Sequence, residues 1–120
     1  MVMAFAKKNP RKPDETRKFG KGKVQVVKVG DFTVGKGTFL PGWKWSKHIK
    51  PIAKTESCQA HHVGYVVSGR IAGVMNDGTK WRIGPGDVVD LPPGHDAWTV
   101  GKEPCVFVDI MGLAEYAKAK

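Results

Sequence analysis

Side chains able to bind a metal ion or to move protons lie close together in the middle of the chain. Glu56, Cys58 and His62 are separated by even numbers of residues, and alternate side chains of a strand share one face. In a regular strand, a carboxylate, a thiol and an imidazole would therefore point into the same cavity. His95 directly follows the tight corner at 92–94 and can reach that cavity from its rim.

Glu56, Cys58, His62 and His95 form a potential metal site. Three or four nitrogen, sulfur and oxygen ligands suit Zn²⁺, with Fe²⁺ or Ni²⁺ as alternatives, and the soft thiolate favours zinc. An open coordination position would allow Lewis-acid or metal-water chemistry. The alternatives are a Cys58 that is simply a small buried residue and acid–base work by His62 or His95 without a metal.

Direct activation of the Cys58 thiol by His62 is not expected if the strand is regular. Four residues along a strand separate the two α-carbons by about 13 Å, beyond the hydrogen-bond reach that such activation needs. A pair formed by Cys58 and His95 across the cavity remains open.

Asp96 and Trp98 follow His95 and complete a predicted ligand pocket of Cys58, His62, His95, Asp96 and Trp98. Polar and aromatic groups at the mouth of a β-structure are typical of small-molecule sites. The alternatives are a hydrogen-bonded turn pair of His95 and Asp96 and a tryptophan that packs in the core.

The elements that would position these residues are short strands. From residue 24 onward, runs rich in Val, Ile, Phe, Thr and Trp alternate with Gly, Pro and Asp, a pattern typical of an antiparallel sandwich or barrel. Asn76-Asp77-Gly78 predicts a tight hairpin turn, whereas 113–120 has a helix-forming composition but is too short to form a helix without packing. The predicted strands are 24–29, 32–34, 37–40, 42–49, 61–67, 70–75, 79–83, 87–91, 97–100 and 105–110.

Charge divides the chain into two parts. The net charge is +9, and eight Lys/Arg against two acidic residues give positions 1–23 a net charge of +6. We therefore expect a basic, flexible or loosely draped N-terminal tail over 1–22 and one domain over 23–120. Such a tail can bind nucleic acid weakly, or it can be a solvated extension.

Glycines, prolines and the hairpin together resemble the cupin family. The second cupin motif is a Gly, five residues, a Pro, any residue, a Gly, two residues and a His; Gly86, Pro92 and Gly94 match it, with Ala97 in the His position. The segments Pro41-Gly42-Trp43-Lys44-Trp45-Ser46 and Pro92-Pro93-Gly94-His95-Asp96-Ala97-Trp98 resemble a subgroup of small bacterial cupins. In the first motif, anchored on Gly69, the three ligand positions hold Glu56, Cys58 and His62.

The resemblance covers about 24–112 and implies an all-β cupin fold, a double-stranded β-helix or jelly-roll barrel. It also implies a homodimer that pairs through an edge strand and the N-terminal segment. The predicted function is a small single-domain cupin that binds a metal ion or a small molecule in the barrel lumen, with no catalysis assigned. The alternatives are a metal-dependent enzyme of oxygenase or isomerase type acting on a small organic substrate, and a nucleic-acid-associated protein.

Two cysteines without a spaced framework, together with no secretory leader, predict reduced thiols and a cytoplasmic location. No apolar run is long enough to span a bilayer, so we expect no membrane partner. A small-molecule ligand is the expected partner, and nucleic acid is the less favoured one.

Overall fold

The structure, a computed structural model, describes residues 4–118 and consists mainly of strands. Each strand is short and is bounded by turns rich in Gly, Pro, Asn and Asp, as the sequence pattern predicts. In chain order, the elements are β1 (Glu15–Phe19), β2 (Gly22–Val29), β3 (Phe32–Phe39), α1 (Trp45–His48), α2 (Lys50–Ala53), β4 (His62–Ser68), β5 (Arg70–Met75), β6 (Lys80–Ile83), β7 (Val88–Leu91), β8 (His95–Val100) and β9 (Cys105–Asp109).

Two antiparallel sheets enclose the core. The larger sheet has the order β1-β2-β3-β9-β4-β7 and the smaller one β6-β5-β8. Val24, Val66 and Phe107 from the larger sheet and Ile71 and Ala97 from the smaller one lie in one buried cluster. The all-β prediction is confirmed, although within 4–118 the sheets are not hydrogen-bonded into a closed barrel.

The predicted strand over 42–49 is wrong. Trp43 and Trp45 are both buried, as their alternation suggests, but the chain turns into the two short helices α1 and α2. Pro51 lies in the first turn of α2, a position where the missing N–H costs nothing. Two other predicted strands, 32–34 and 37–40, are one continuous strand, β3.

The predicted N-terminal tail is also partly wrong. Glu15–Phe19 forms the strand β1, which pairs with β2 along the edge of the larger sheet. The Arg17 guanidinium donates hydrogen bonds to the backbone carbonyls of Ala114 and Tyr116, so the strand is attached at its side-chain face as well. Residues 4–14 contain no helix or strand, and positions 1–3 of the predicted tail lie outside the described residues.

The C-terminal segment packs on the core without forming a helix. Leu113 and Tyr116 are buried, and 110–117 is a series of bends and turns; positions 119 and 120 lie outside the described residues. Across 4–118, neither helix has the length or the apolar character needed to cross a membrane.

Candidate metal centre

Three of the predicted ligands meet inside the fold. Cys58, His62 and His95 are all buried, and one ligand atom from each lies within 4.8 Å of the others. His62 and His95 are the first residues of β4 and β8. Cys58 lies in the loop before β4, where its backbone N–H donates to the His95 carbonyl at 2.8 Å. This bridge brings the loop onto the end of β8.

The expectation that the Cys58 thiol lies beyond hydrogen-bond reach of His62 is wrong. The Cys58 Sγ lies 3.8 Å from His62 Nε2, whereas a regular strand would hold the two α-carbons far apart. The reason is that β4 begins only at His62, so the chain between the two residues is free to bend. Direct contact between the thiol and the imidazole is therefore part of the site.

Each imidazole has one nitrogen held by an acceptor on the protein. His62 Nδ1 lies 2.6 Å from Asp109 Oδ2, and His95 Nδ1 lies 2.9 Å from the Pro92 carbonyl oxygen. Both acceptors require a proton on Nδ1. This leaves Nε2 of each ring to face the Cys58 thiol or a metal, and such outer hydrogen bonds are what fix the orientation of metal-binding histidines.

Asp109 was missed by the sequence analysis. It ends β9, its side chain is completely buried, and Oδ1 accepts the backbone N–H groups of Met111 at 2.7 Å and Gly112 at 2.8 Å. Four residues ahead of it, from Cys105 to Val108, are apolar. The sequence signal that could have identified Asp109 is a carboxylate directly after an apolar strand, because a buried charge needs a partner.

The electrostatics of the pair favour a charged thiolate and a charged imidazole. Burial raises the pKa of Cys58, but hydrogen bonds and charge from His62 and His95 outweigh it and lower the value to about 6. Burial lowers the pKa of His62, whereas Asp109 and Cys58 raise it to about 9. Without a metal, the site therefore holds a thiolate beside an imidazolium at neutral pH.

The donor set fits zinc. With a Zn–S bond of about 2.3 Å and a Zn–N bond of about 2.05 Å, a tetrahedral ion sets its sulfur and nitrogen ligands about 3.6 Å apart. The 3.8 Å between Cys58 Sγ and His62 Nε2 is close to that value. Three protein ligands also leave the fourth position open, as in catalytic zinc sites.

Three predicted site residues lie elsewhere. The Glu56 side chain is 97% exposed and pairs with Lys50 at 3.2 Å; it lies in the bend directly before Cys58 and faces solvent. Asp96 and Trp98 alternate with the buried positions of β8 and so point away from the cluster. Asp96 accepts the backbone N–H of Ser46 at 3.1 Å, and the Lys44 ammonium lies 5.5 Å from the centre of the Trp98 ring.

A small cavity lies beside the two histidines. Centres of water-sized molecules can occupy about 50 Å³ of it, which is room for roughly three to five water-sized groups. Within 4–118, no Lys, Arg, Asp or Glu lines it, and most of its wall is hydrocarbon. Aromatic side chains form much of that wall: Phe39, Trp43, Trp45, Trp81, Phe107 and Tyr116.

Comparison with known proteins finds similarity at the level of structure. No protein-family model matches the chain, and no curated protein sequence matches it. A mutant of Bacillus subtilis oxalate decarboxylase is similar with a TM-score of 0.63 and 21% identity, over 86% of this chain and 29% of that one. Lactobacillus farciminis oxalate decarboxylase in complex with formate gives a TM-score of 0.58 at 20% identity, over 82% of this chain. The chain spans 30% of the length of that decarboxylase.

Structures that this chain covers over most of their length are also similar. A Rhizobium leguminosarum protein of unknown function gives a TM-score of 0.57 at 24% identity and covers 78% of this chain and 82% of that one. An Acidithiobacillus ferrooxidans protein of unknown function gives 0.58 at 16% identity, with 80% and 85% coverage. At these identities, the likeness concerns the arrangement of strands.

Proposed function

The chain has the cupin fold, and from that premise we propose that it binds one divalent metal ion, zinc by preference, through Cys58, His62 and His95. The observation that carries this proposal is that both histidines have Nδ1 engaged by an acceptor, with Nε2 left for a metal. A thiolate and two imidazoles are soft and borderline ligands, which suit zinc better than a purely oxygen-liganded ion.

When bound, the ion would supply a Lewis acid at its open position. The residues of the chain do the rest. Asp109 holds the Nδ1 proton of His62 and fixes the ring, and the Pro92 carbonyl does the same for His95. The largely apolar wall of the cavity offers water few hydrogen-bond partners, and the small volume limits a ligand to a few heavy atoms.

Metal content tests the proposal, with His62→Ala compared against His61→Ala. His61 is the neighbouring residue, but it lies on the surface and pairs with Asp90 at 2.5 Å. Protein purified without chelators and measured by elemental analysis should hold about one zinc per chain, as should His61→Ala. His62→Ala should hold less than about a tenth of that. Equal metal content in the two variants, or no metal after reconstitution, would refute the proposal.

Metal-free thiol chemistry is the second candidate function. Cys58, His62 and Asp109 form a chain of contacts at 3.8 Å and 2.6 Å, the arrangement by which a base activates a cysteine nucleophile and an acid orients that base. Two results together would support this alternative. The protein should take up no metal, and iodoacetamide at pH 7 should alkylate Cys58 within minutes in the parent protein but slowly in the His62→Ala variant.

A catalytic role is an alternative within the same proposal. In that case, the protein would be a metal-dependent oxygenase or isomerase acting on a small organic substrate. The open coordination position supports it. Without a metal, His62 and His95 would be the candidate acid–base groups. Nδ1 of each ring is held by an acceptor, and Nε2 of His62 contacts the Cys58 thiol.

Association into a homodimer is part of the proposal. β1 and β7 are the two edges of the larger sheet, and unpaired edges favour pairing with another chain. Tyr65 and Val88 lie opposite one another on β4 and β7 and are 48% and 82% exposed. One chain has a mass of 13.1 kDa, and light scattering on the purified protein should give twice that mass.

A reducing compartment such as the cytoplasm also belongs to the proposal. Cys58 must remain a thiol or thiolate to act as a ligand, and both Cys58 and Cys105 are free in the structure. Nucleic-acid binding through the basic N-terminal residues is the less favoured alternative. It requires salt-sensitive DNA binding that is lost when residues 1–12 are deleted.

A further inference from the structure

Two indole N–H groups in the cavity wall have no hydrogen-bond partner. Trp43 Nε1 and Trp81 Nε1 are buried and make no hydrogen bond to any residue of the described part of the chain. Trp43 is 3% exposed, and both side chains line the cavity beside His62 and His95. A buried N–H without an acceptor is costly. We therefore expect a ligand or a water molecule to supply the acceptor for these two donors.

Packing holds both tryptophans in the cavity wall, and Trp81 contacts one of the two histidines directly. The Trp81 ring is edge-on to His95, with 6.1 Å between the ring centroids, and it covers Gly73 on the facing strand β5. Trp43 packs against Phe39 in a tilted arrangement, with 4.5 Å between the ring centroids. Because neighbouring rings hold both indoles, the donors are fixed before any ligand arrives.

The polar character of the cavity is one-sided. An indole N–H can only donate, and the free Nε2 atoms of His62 and His95 are assigned to the metal. Among residues 4–118, no Asp or Glu side chain lines the cavity, and the hydroxyl of the lining residue Tyr116 can donate as well as accept. The wall therefore offers donors and an ion but hardly any acceptor, which suits a ligand whose polar atoms are all acceptors.

We propose that this cavity binds a small carboxylate, one oxygen of which reaches the metal while the carboxylate oxygens accept the N–H groups of Trp43 and Trp81. This inference rests on the proposed metal function and adds the class of ligand. The volume sets the size. Room for roughly three to five water-sized groups fits formate or acetate and excludes larger aromatic acids.

Nuclear magnetic resonance of the indole groups tests this directly on the zinc-loaded, ¹⁵N-labelled protein. Formate and acetate should shift the Nε1–H signals of Trp43 and Trp81 downfield in a saturable way. Acetamide, which has the same shape but no charge, should have little effect. Trp98 serves as the internal reference, because its side chain lies outside the cavity and near Lys44.

Conservative variants give the second measurement. Trp43→Phe and Trp81→Phe remove one donor and keep an aromatic ring, and each should weaken acetate binding to the zinc protein roughly tenfold. Trp98→Phe should leave that affinity unchanged. All three variants should retain the zinc content of the parent protein, because none removes a ligand.

The outcomes separate the ligand from the metal. One zinc per chain, with neither indole signal moved by formate or acetate, would overturn the carboxylate inference and leave the metal proposal standing, with internal water as the acceptor. No zinc after reconstitution would overturn both. Equal acetate shifts with and without zinc would contradict the bridging role of the ion.

Discussion

At the scale of single residues, the thiolate of Cys58 is stabilised by two imidazoles. Burial alone raises the pKa of a thiol, as it does for Cys105, whose pKa rises to about 11. Cys58 is also buried, yet its pKa falls to about 6 because hydrogen bonds and charge from His62 and His95 outweigh burial. The two cysteines of one chain thus differ through their neighbours.

This difference predicts two separate ionisations in the metal-free protein. Thiolate absorbance near 240 nm should rise with a midpoint near pH 6 for Cys58, whereas Cys105 should ionise only above pH 10. Cys58→Ser should abolish the step near pH 6, and Cys105→Ser should keep it. A single step near pH 9 for both thiols would contradict the geometry of the pair.

Spectroscopy is the right measurement because the free energy of unfolding does not change with pH when this pair ionises. The ordinary pKa values are 9.0 for Cys58 and 6.5 for His62, and folding lowers the first to about 6 and raises the second to about 9. Between pH 6.5 and 9, the depressed thiol pKa makes stability rise with pH, and the raised imidazole pKa makes it fall. The two slopes cancel, since folded and unfolded states hold the same number of protons on the pair.

At the scale of elements, the end of β9 and the turn that follows it determine where His62 lies. Asp109 accepts the N–H groups of Met111 and Gly112 and so folds the chain back over the ring. Gly112 lies against that ring. A Cβ at this position would be 2.5 Å from His62 Nδ1 and 2.6 Å from the His61 carbonyl oxygen.

Gly112→Ala should therefore weaken zinc binding by about tenfold or more, within the range seen when groups that orient a metal ligand are changed. Gly112 does not have a positive φ, so the cost comes from lost room and not from backbone strain. Competition with a chromogenic chelator measures the affinity, and circular dichroism checks the fold. Met111→Ala, on an exposed neighbour, is the control and should bind zinc normally.

Local patterns predicted the strands well because alternation and turn residues are properties of short segments. The same rule failed at 42–49, where Trp43 and Trp45 alternate as in a strand although the chain bends into α1. It identified Cys58 and His62 from their even spacing, and His95 because it directly follows the corner at 92–94. It could not find Asp109, which is 47 residues from His62 in sequence, since only the pairing of β4 with β9 brings the two together.

At the scale of the whole molecule, β1 and the segment around Leu113 and Tyr116 meet beside Cys58, His62 and His95. Arg17 on β1 donates to carbonyls of the C-terminal segment. Phe19 packs against Phe39 and Tyr116, with ring centroids 6.1 Å apart in each case. The Tyr116 ring in turn lies 5.7 Å from His62. The edge strand therefore supports the segment that covers the site.

Two N-terminal truncations should consequently behave differently. Within the described residues 4–12, deletion of 1–12 removes no strand and one exposed ion pair, Lys8 with Asp14. Such a pair is worth little, so the melting temperature should change by less than about 2 °C. Deletion of 1–20 also removes β1 and with it the contacts of Arg17 and Phe19. Loss of about 2–3 kcal/mol of packing and hydrogen bonding should lower the melting temperature by about 10 °C.

Zinc affinity distinguishes a supporting strand from a strand that merely adds stability. If β1 holds the C-terminal segment against His62, the longer truncation should weaken zinc binding several-fold at temperatures where it is still folded, and the shorter one should not. Calorimetric melting and chelator competition on the same samples give both quantities. Two truncations with the same melting temperature and the same zinc affinity would show that the fold begins at β2 and that 1–22 is a tail after all.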